Sequence, residues 1–201
     1  MKSSLPVKLL IGTVLLLGLH LPSARVRATG NAAADKYSVD AIHSSIIFRI
    51  KHVNAAYFYG RFNEVTGSFS IDAGNPAASK IEIEVKVDSI DTHNEARDKH
   101  LKSPDFFEVD KHPGIKFVAS SLKKTGDNKY EVEGDLTIRG VTKKLTAPLE
   151  WTGTGKGMQG EERGGLETVF TIKRSDFGVS GLPQALGDEV KLMISLEGVK
   201  Q

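Results

Sequence analysis

The run Gly155-Lys156-Gly157-Met158-Gln159-Gly160 satisfies G-x-G-x-x-G, the pattern that cradles a dinucleotide pyrophosphate. That chemistry needs a helix N-terminus directly after the glycines, where free N–H groups point at the phosphates. Here Glu161 to Gly165 leads into an alternating apolar segment instead. The glycines therefore read as a loop over 153–165, and no cofactor is expected. The histidines are poorly spaced for a metal. His43 and His52 have opposite parity along one extended segment and should point to opposite faces. His93 and His100 are seven apart with no partner four residues away, and His112 sits beside Pro113-Gly114. No metal centre is expected, although ligands could still converge from distant strands. With no cysteine in the chain, thiolate catalysis, disulfides and a lipobox anchor are excluded, and no Gly-x-Ser-x-Gly elbow occurs. One acid–base chemistry stays open: Asp91 with His52 would serve an isomerase or cyclase if the two met within about 3 Å.

The elements that must position these residues are strands. Ile81, Ile83, Val85 and Val87 alternate with Lys80, Glu82, Glu84, Lys86 and Asp88, so one face meets a core and the other meets water. Tyr130, Val132, Gly134, Leu136 and Ile138 repeat the pattern against Glu131, Glu133 and Asp135. So do Leu166, Phe170 and Ile172, and then Val190, Leu192, Ile194 and Leu196. Weaker versions occur at Ile46-Phe48-Ile50, Phe69-Ile71, Ile115-Phe117 and Leu145-Ala147-Leu149-Trp151. Hairpin signals such as Gly126-Asp127-Asn128 and Arg139-Gly140 join them. Only Asn94 to Lys102 reads as helix, from an Asn cap to a stop before Ser103-Pro104. These signals predict an all-β domain, an eight-stranded antiparallel barrel with a short helical insertion.

Composition bounds the rest. The chain has 201 residues, 39% of them apolar and 26% charged, as expected of a globular protein. Its first 28 residues carry Lys2, Lys8, Arg25 and Arg27, no acid, and an apolar run from Leu9 to Leu21. That order predicts a secretory signal peptide over 1–28, cleaved after Ala28, with Ala34 as second candidate and an uncleaved anchor as the alternative. The mature domain, 29–201, would hold 23 Lys and Arg against 25 Asp and Glu, a net charge of −2. A near-neutral domain has no electrostatic case for nucleic acid. Export places the domain in the periplasm.

An eight-stranded barrel is either filled by its own side chains or holds one small ligand. The inward positions here are medium-sized aliphatics, which favours a cavity lined by Phe48, Ile50, Ile83, Val85, Val87, Phe117, Leu136, Ile138, Phe170, Ile172, Leu192 and Ile194. Extending each parity to the strand ends turns His52, Ser89, Asp91 and Arg174 inward, as a polar rim. Alternatively, parity breaks at bulges and these residues face solvent.

Several stretches resemble the YceI family of exported proteins: Asp40-Ala41-Ile42-His43-Ser44-Ser45, Gly60-Arg61-Phe62, Asn94 to Phe107, His112-Pro113-Gly114-Ile115-Lys116-Phe117, Gly134 to Thr142 and Arg174-Ser175-Asp176-Phe177-Gly178-Val179. The resemblance spans about Tyr37 to Val199. It implies a lipocalin-like barrel whose tunnel holds a long-chain isoprenoid lipid, such as a quinone or a polyprenyl phosphate, without catalysis. It also implies a homodimer. On this reading His52, Asp91, Arg97 and Arg174 are candidates for the lipid head group. Their structural alternative is internal ion pairing, Arg97 with Asp98 and Arg174 with Asp176. The chain departs from the family at Ala55-Ala56-Tyr57-Phe58-Tyr59, an aromatic run that would narrow the tunnel mouth or touch a membrane surface transiently. Two other readings stand beside a carrier: an isomerase-like enzyme in the same cavity, and a stress-response interaction module using the aromatic run.

Overall fold

Period-two alternation becomes a wall when each strand finds partners on both sides. The computed structural model describes residues 34–201; the expected signal peptide, 1–28, lies outside the described residues. Eleven strands follow in chain order: β1 Tyr37–Val39, β2 Ser45–His52, β3 Ala56–Phe62, β4 Val65–Ser70, β5 Lys80–Lys86, β6 Ile90–Asp91, β7 Gly114–Gly126, β8 Lys129–Ile138, β9 Val141–Lys156, β10 Glu162–Lys173 and β11 Leu186–Lys200. Kinks divide three longer strands into the pairs β1/β2, β3/β4 and β5/β6. The wall therefore has eight antiparallel staves, closed where β11 pairs with both β1 and β2. Closure leaves few open sheet edges. Among the described residues no helix is long and apolar enough to cross a membrane.

The hairpins follow the local signals. Arg139 and Gly140 both take positive φ, +48° and +74°, between β8 and β9, the geometry whose twist suits a two-residue turn. The expected helix forms as α1, Glu95–Lys102, with the Asn94 side chain accepting a hydrogen bond from the Arg97 amide at 2.9 Å. The glycine-rich stretch differs from expectation. It is mostly strand, β9 running to Lys156 and β10 starting at Glu162, so only 157–161 turn. Gly164 is small because the Trp151 ring occupies the place of a Cβ, which would sit 2.5 Å from it.

Two apolar layers close the ends of the barrel. At the end that carries Tyr37 and Lys200, Tyr37 stacks on Phe69 with centroids 5.4 Å apart, and Trp151 tilts against Tyr37 at 5.5 Å. At the opposite end, Phe106 packs with Phe177, Val179, Leu136 and Ile138, while Leu101 and Phe107 bridge this cluster to the main core.

One seam of the wall is incomplete. The β9–β10 register runs from Glu162↔Lys156 to Glu167↔Glu150 and stops there. Both strands continue, through 141–149 and 168–173, with no pair between them. Pro148 marks the end of the pairing. It has no N–H to donate to a neighbouring strand, and its carbonyl accepts from the Thr168 hydroxyl rather than from a backbone amide.

Candidate functional site

Between the two end layers lies an apolar cavity of about 230 Å³. Eleven of the twelve expected wall residues line it: Phe48, Ile50, Ile83, Val85, Phe117, Leu136, Ile138, Phe170, Ile172, Leu192 and Ile194. Val87 does not. It is 1% exposed, but β5 ends one residue earlier and Val87–Ser89 form a 3-10 turn that resets the parity. Ile46, Ile81, Ile115, Leu145 and Leu196 share the registers of the expected residues and line the cavity too. Leu101, Phe106 and Phe107 come from α1 and the loop after it, where no alternation marks an inward position. The aromatic run obeys period two. Phe58 turns into the cavity, whereas Tyr57 and Tyr59 point out, each 52% exposed.

The four expected rim residues part company. Arg97 lines the cavity with its guanidinium 4.2 Å from the Phe58 ring centroid. Its Nε donates to Thr92 Oγ1 at 2.8 Å and its Nη2 to the Thr92 carbonyl at 2.6 Å. Thr92 in turn donates to Asp98 Oδ1 from its amide and its hydroxyl, so Arg97 and Asp98 meet through Thr92. Arg174 also lines the cavity and is 7% exposed. Its partners are carbonyls rather than Asp176: Nε donates to Gly187 O at 2.9 Å, and Nη1 to Val179 O at 2.9 Å and Gly181 O at 2.8 Å. A longer bond of 3.3 Å runs from Nη2 to Leu186 O. Burial pulls the guanidinium pKa down from its ordinary value, and Asp188 opposes that shift.

His52 and Asp91 do not reach the cavity. His52 has inward parity but is the last residue of β2, opposite Ala56, and is exposed. Asp91 follows the 3-10 turn that broke the parity; its carboxylate accepts from the His93 amide at 2.9 Å and from Asn63 Nδ2 at 3.4 Å. The His93 amide, then Asn63, hold the carboxyl below its ordinary pKa. Asp91 pairs with Arg61, five residues along β3 from the partner of His52. At 3.3 Å per residue that separates the two by roughly 17 Å, so this acid–base pair does not form. The ionisable residues on the cavity wall are Arg97, Arg174 and Glu167.

Outside the cavity, Asp40, His43 and Glu197 bring three ligand-type atoms within 4.8 Å of one another. A cation already occupies that cluster. Arg163 Nη1 lies 2.8 Å from Asp40 Oδ2 and 2.5 Å from Glu197 Oε1, and His43 Nδ1 lies 2.8 Å from Asp40 Oδ2. The hydrogen bond from His43, then that from Arg163, lower the Asp40 pKa to about 2. This network pins the kink between β1 and β2 to β10 and β11.

The YceI-like domain model matches residues 37–198. The chain belongs to the YceI family. Its relatives include a UPF0312 protein of Pseudomonas putida, 41% identical over 189 residues that cover 93% of this chain and 95% of that one. Another, from Photorhabdus laumondii, is 40% identical over 92% of this chain and 97% of its own length. Among solved structures, Burkholderia cenocepacia BcnA superposes with a TM-score of 0.72 at 25% identity, over 79% of this chain and 98% of BcnA. A Campylobacter jejuni YCEI protein gives 0.67 at 31% identity, over 75% of this chain and 90% of that chain. A polyisoprenoid-binding domain of Saccharophagus degradans, implicated in plant cell wall breakdown, shares the fold at TM-score 0.65 and 16% identity, over 82% of this chain and 98% of that domain.

Proposed function

We propose that this YceI protein is a non-catalytic, periplasmic binding protein that carries or stores a long-chain isoprenoid lipid, a quinone or a polyprenyl phosphate, in its barrel. The apolar cavity carries the reading. A polar substrate would gain little on such a wall, whereas each buried CH₂ gains about 0.8 kcal/mol relative to water. A bilayer solvates a prenyl tail equally well, so transfer between membrane and barrel lies near balance, as a carrier that loads and unloads requires. The Saccharophagus domain, named for polyisoprenoid binding, supports the ligand class.

The head group is read by Arg97. A guanidinium has five N–H donors, and Thr92 takes two of those of Arg97, which leaves three for a ligand. Arg174 spends four on carbonyls and acts chiefly as a brace for the chain between β10 and β11. Contact with a membrane surface would use the outer face of β2 and β3. There Arg49 stands 3.9 Å and Lys51 5.3 Å from the Tyr57 ring centroid, an aromatic and cationic surface suited to anionic lipid. A homodimer is the remaining partner in this reading, and sedimentation of the purified protein tests it.

The full chain, expressed with its leader and purified from the periplasm, should yield a stoichiometric isoprenoid on organic extraction and mass spectrometry. A folded protein in that fraction with an empty extract would remove the support for a carrier. Absence of the protein from that fraction would overturn the location.

A further inference from the structure

We infer that the unpaired seam between β9 and β10 is a side portal, through which a hydrocarbon chain passes laterally into the cavity; this rests on the lipid-binding reading above. Two independent features point to it. The first is the ladder itself, which ends at Glu167↔Glu150 although both strands run on. Opening any zipped seam breaks backbone hydrogen bonds one after another; here no backbone pair joins 168–173 to β9, and the Thr168 hydroxyl bond to Pro148 is what crosses the gap. The second is Glu167. It alternates outward with Val169 and Thr171, yet it lines the cavity together with its inward neighbours Leu166 and Thr168. An outward residue on the cavity lining, at the very point where the ladder ends, fits an opening in the wall there.

The seam has a hinge at one end and a latch at the other. Pro148 lacks the donor that would restart the ladder, and the Thr168 hydroxyl takes its carbonyl. At the far end, Arg139 on the β8–β9 turn donates to the carbonyls of Gly178 and of Pro104, the latter at 2.8 Å, and pairs with Glu108 at 3.3 Å. Arg139 thus ties the β9 side of the opening to the segment after β10 and to the loop after α1. A lateral route lets the head group stay in water while the tail crosses the wall. A route through the barrel end would draw that group past Phe106, Phe107 and Phe177, at a desolvation cost.

The chain has no cysteine, so a thiol crosslink can be placed at will. Thr146→Cys with Thr171→Cys, both on exposed positions, would be bridged by a short reductant-cleavable bis-thiosulfonate. Lys123→Cys with Glu131→Cys, bridged likewise across the paired β7–β8 seam, is the control. Uptake of ubiquinone-8 from phosphatidylcholine vesicles is followed by quenching of Trp151, the single tryptophan. The β9–β10 crosslink should slow uptake at least tenfold, reduction should restore it, and the control crosslink should change it less than twofold. Equal rates with the seam bridged and free would overturn the portal alone. Failure of the reduced protein to take up quinone would overturn the lipid reading and the portal with it. Amide exchange gives a ligand-free check in the unsubstituted protein. Alternate amides of 168–173 should exchange as fast as those of loops, and protection equal to that of β8 would show a zipped seam and refute the proposal.

Discussion

Replacing Arg174 by Met separates a brace from a head-group anchor. The change keeps most of the apolar stem and removes a guanidinium that is 7% exposed and holds four carbonyls. Three of those bonds are 2.8–2.9 Å long. Leaving three carbonyls without a donor costs about 1 kcal/mol each at the low end, since Gly181 and Gly187 are only half-buried and can rehydrate. Removing the desolvated charge returns part of that cost. The expected net loss is about 2 kcal/mol. With a urea m-value of about 2 kcal/mol/M for a domain of this size, the unfolding midpoint should fall by about 1 M. Arg174→Lys should recover about half, because an ammonium cannot span the forked set of carbonyls. Equilibrium urea unfolding followed by Trp151 fluorescence reads all three proteins. A midpoint shift below about 0.3 M for Arg174→Met would refute the brace, and a selective loss of lipid at unchanged stability would move Arg174 to the head-group site.

Other outcomes follow from the same structure. Arg97→Gln should weaken capture of a polyprenyl phosphate at least tenfold while changing capture of the matching prenol less than threefold; equal effects in a vesicle-competition assay would remove Arg97 from head-group recognition. Val85→Trp places an indole in the lumen and should cut co-purifying lipid below a tenth of the unsubstituted level, as measured by mass spectrometry of the extract. Full lipid occupancy in that variant would place the ligand elsewhere. Gly60→Ala would set a Cβ 2.3 Å from Phe48 Cζ, so Phe48 must shift into the lumen, at about 1–3 kcal/mol of stability by urea unfolding. Asp40 has a folded pKa of about 2 against an ordinary 3.8, so its ion network stabilises the fold above pH 4. That contribution fades as pH falls from about 4 through 2, and Asp40→Asn should flatten this part of a pH-dependent unfolding series.

Much of the wall was legible because β-strands have a period of two and the fold leaves one face in water. Eleven of the twelve wall residues expected from that rule line the cavity. It failed where the backbone left the strand conformation. The 3-10 turn at Val87–Ser89 moved Val87 off the wall and turned Asp91 away, and the end of β2 at His52 left that residue in solvent. Arg174 survived a turn of its own, because the 3-10 segment Arg174–Phe177 begins at that residue and keeps its side chain inward. The lid residues Leu101, Phe106 and Phe107 carried no readable signal, since eight helical residues and a loop offer no sheet parity.

The amino-acid sequence by itself determined the local rules: alternation, the Arg139-Gly140 turn, the Asn94 cap, the absence of thiol chemistry and an apolar inner surface. These depend on side-chain type and on neighbours a few residues away. Tertiary structure alone decided the end of pairing beside Pro148, the place of Glu167 on the cavity lining, the carbonyl cradle of Arg174 and the distance between His52 and Asp91. Each of these depends on how strands far apart in the chain meet, and the register of a closed barrel is set by all eight staves together.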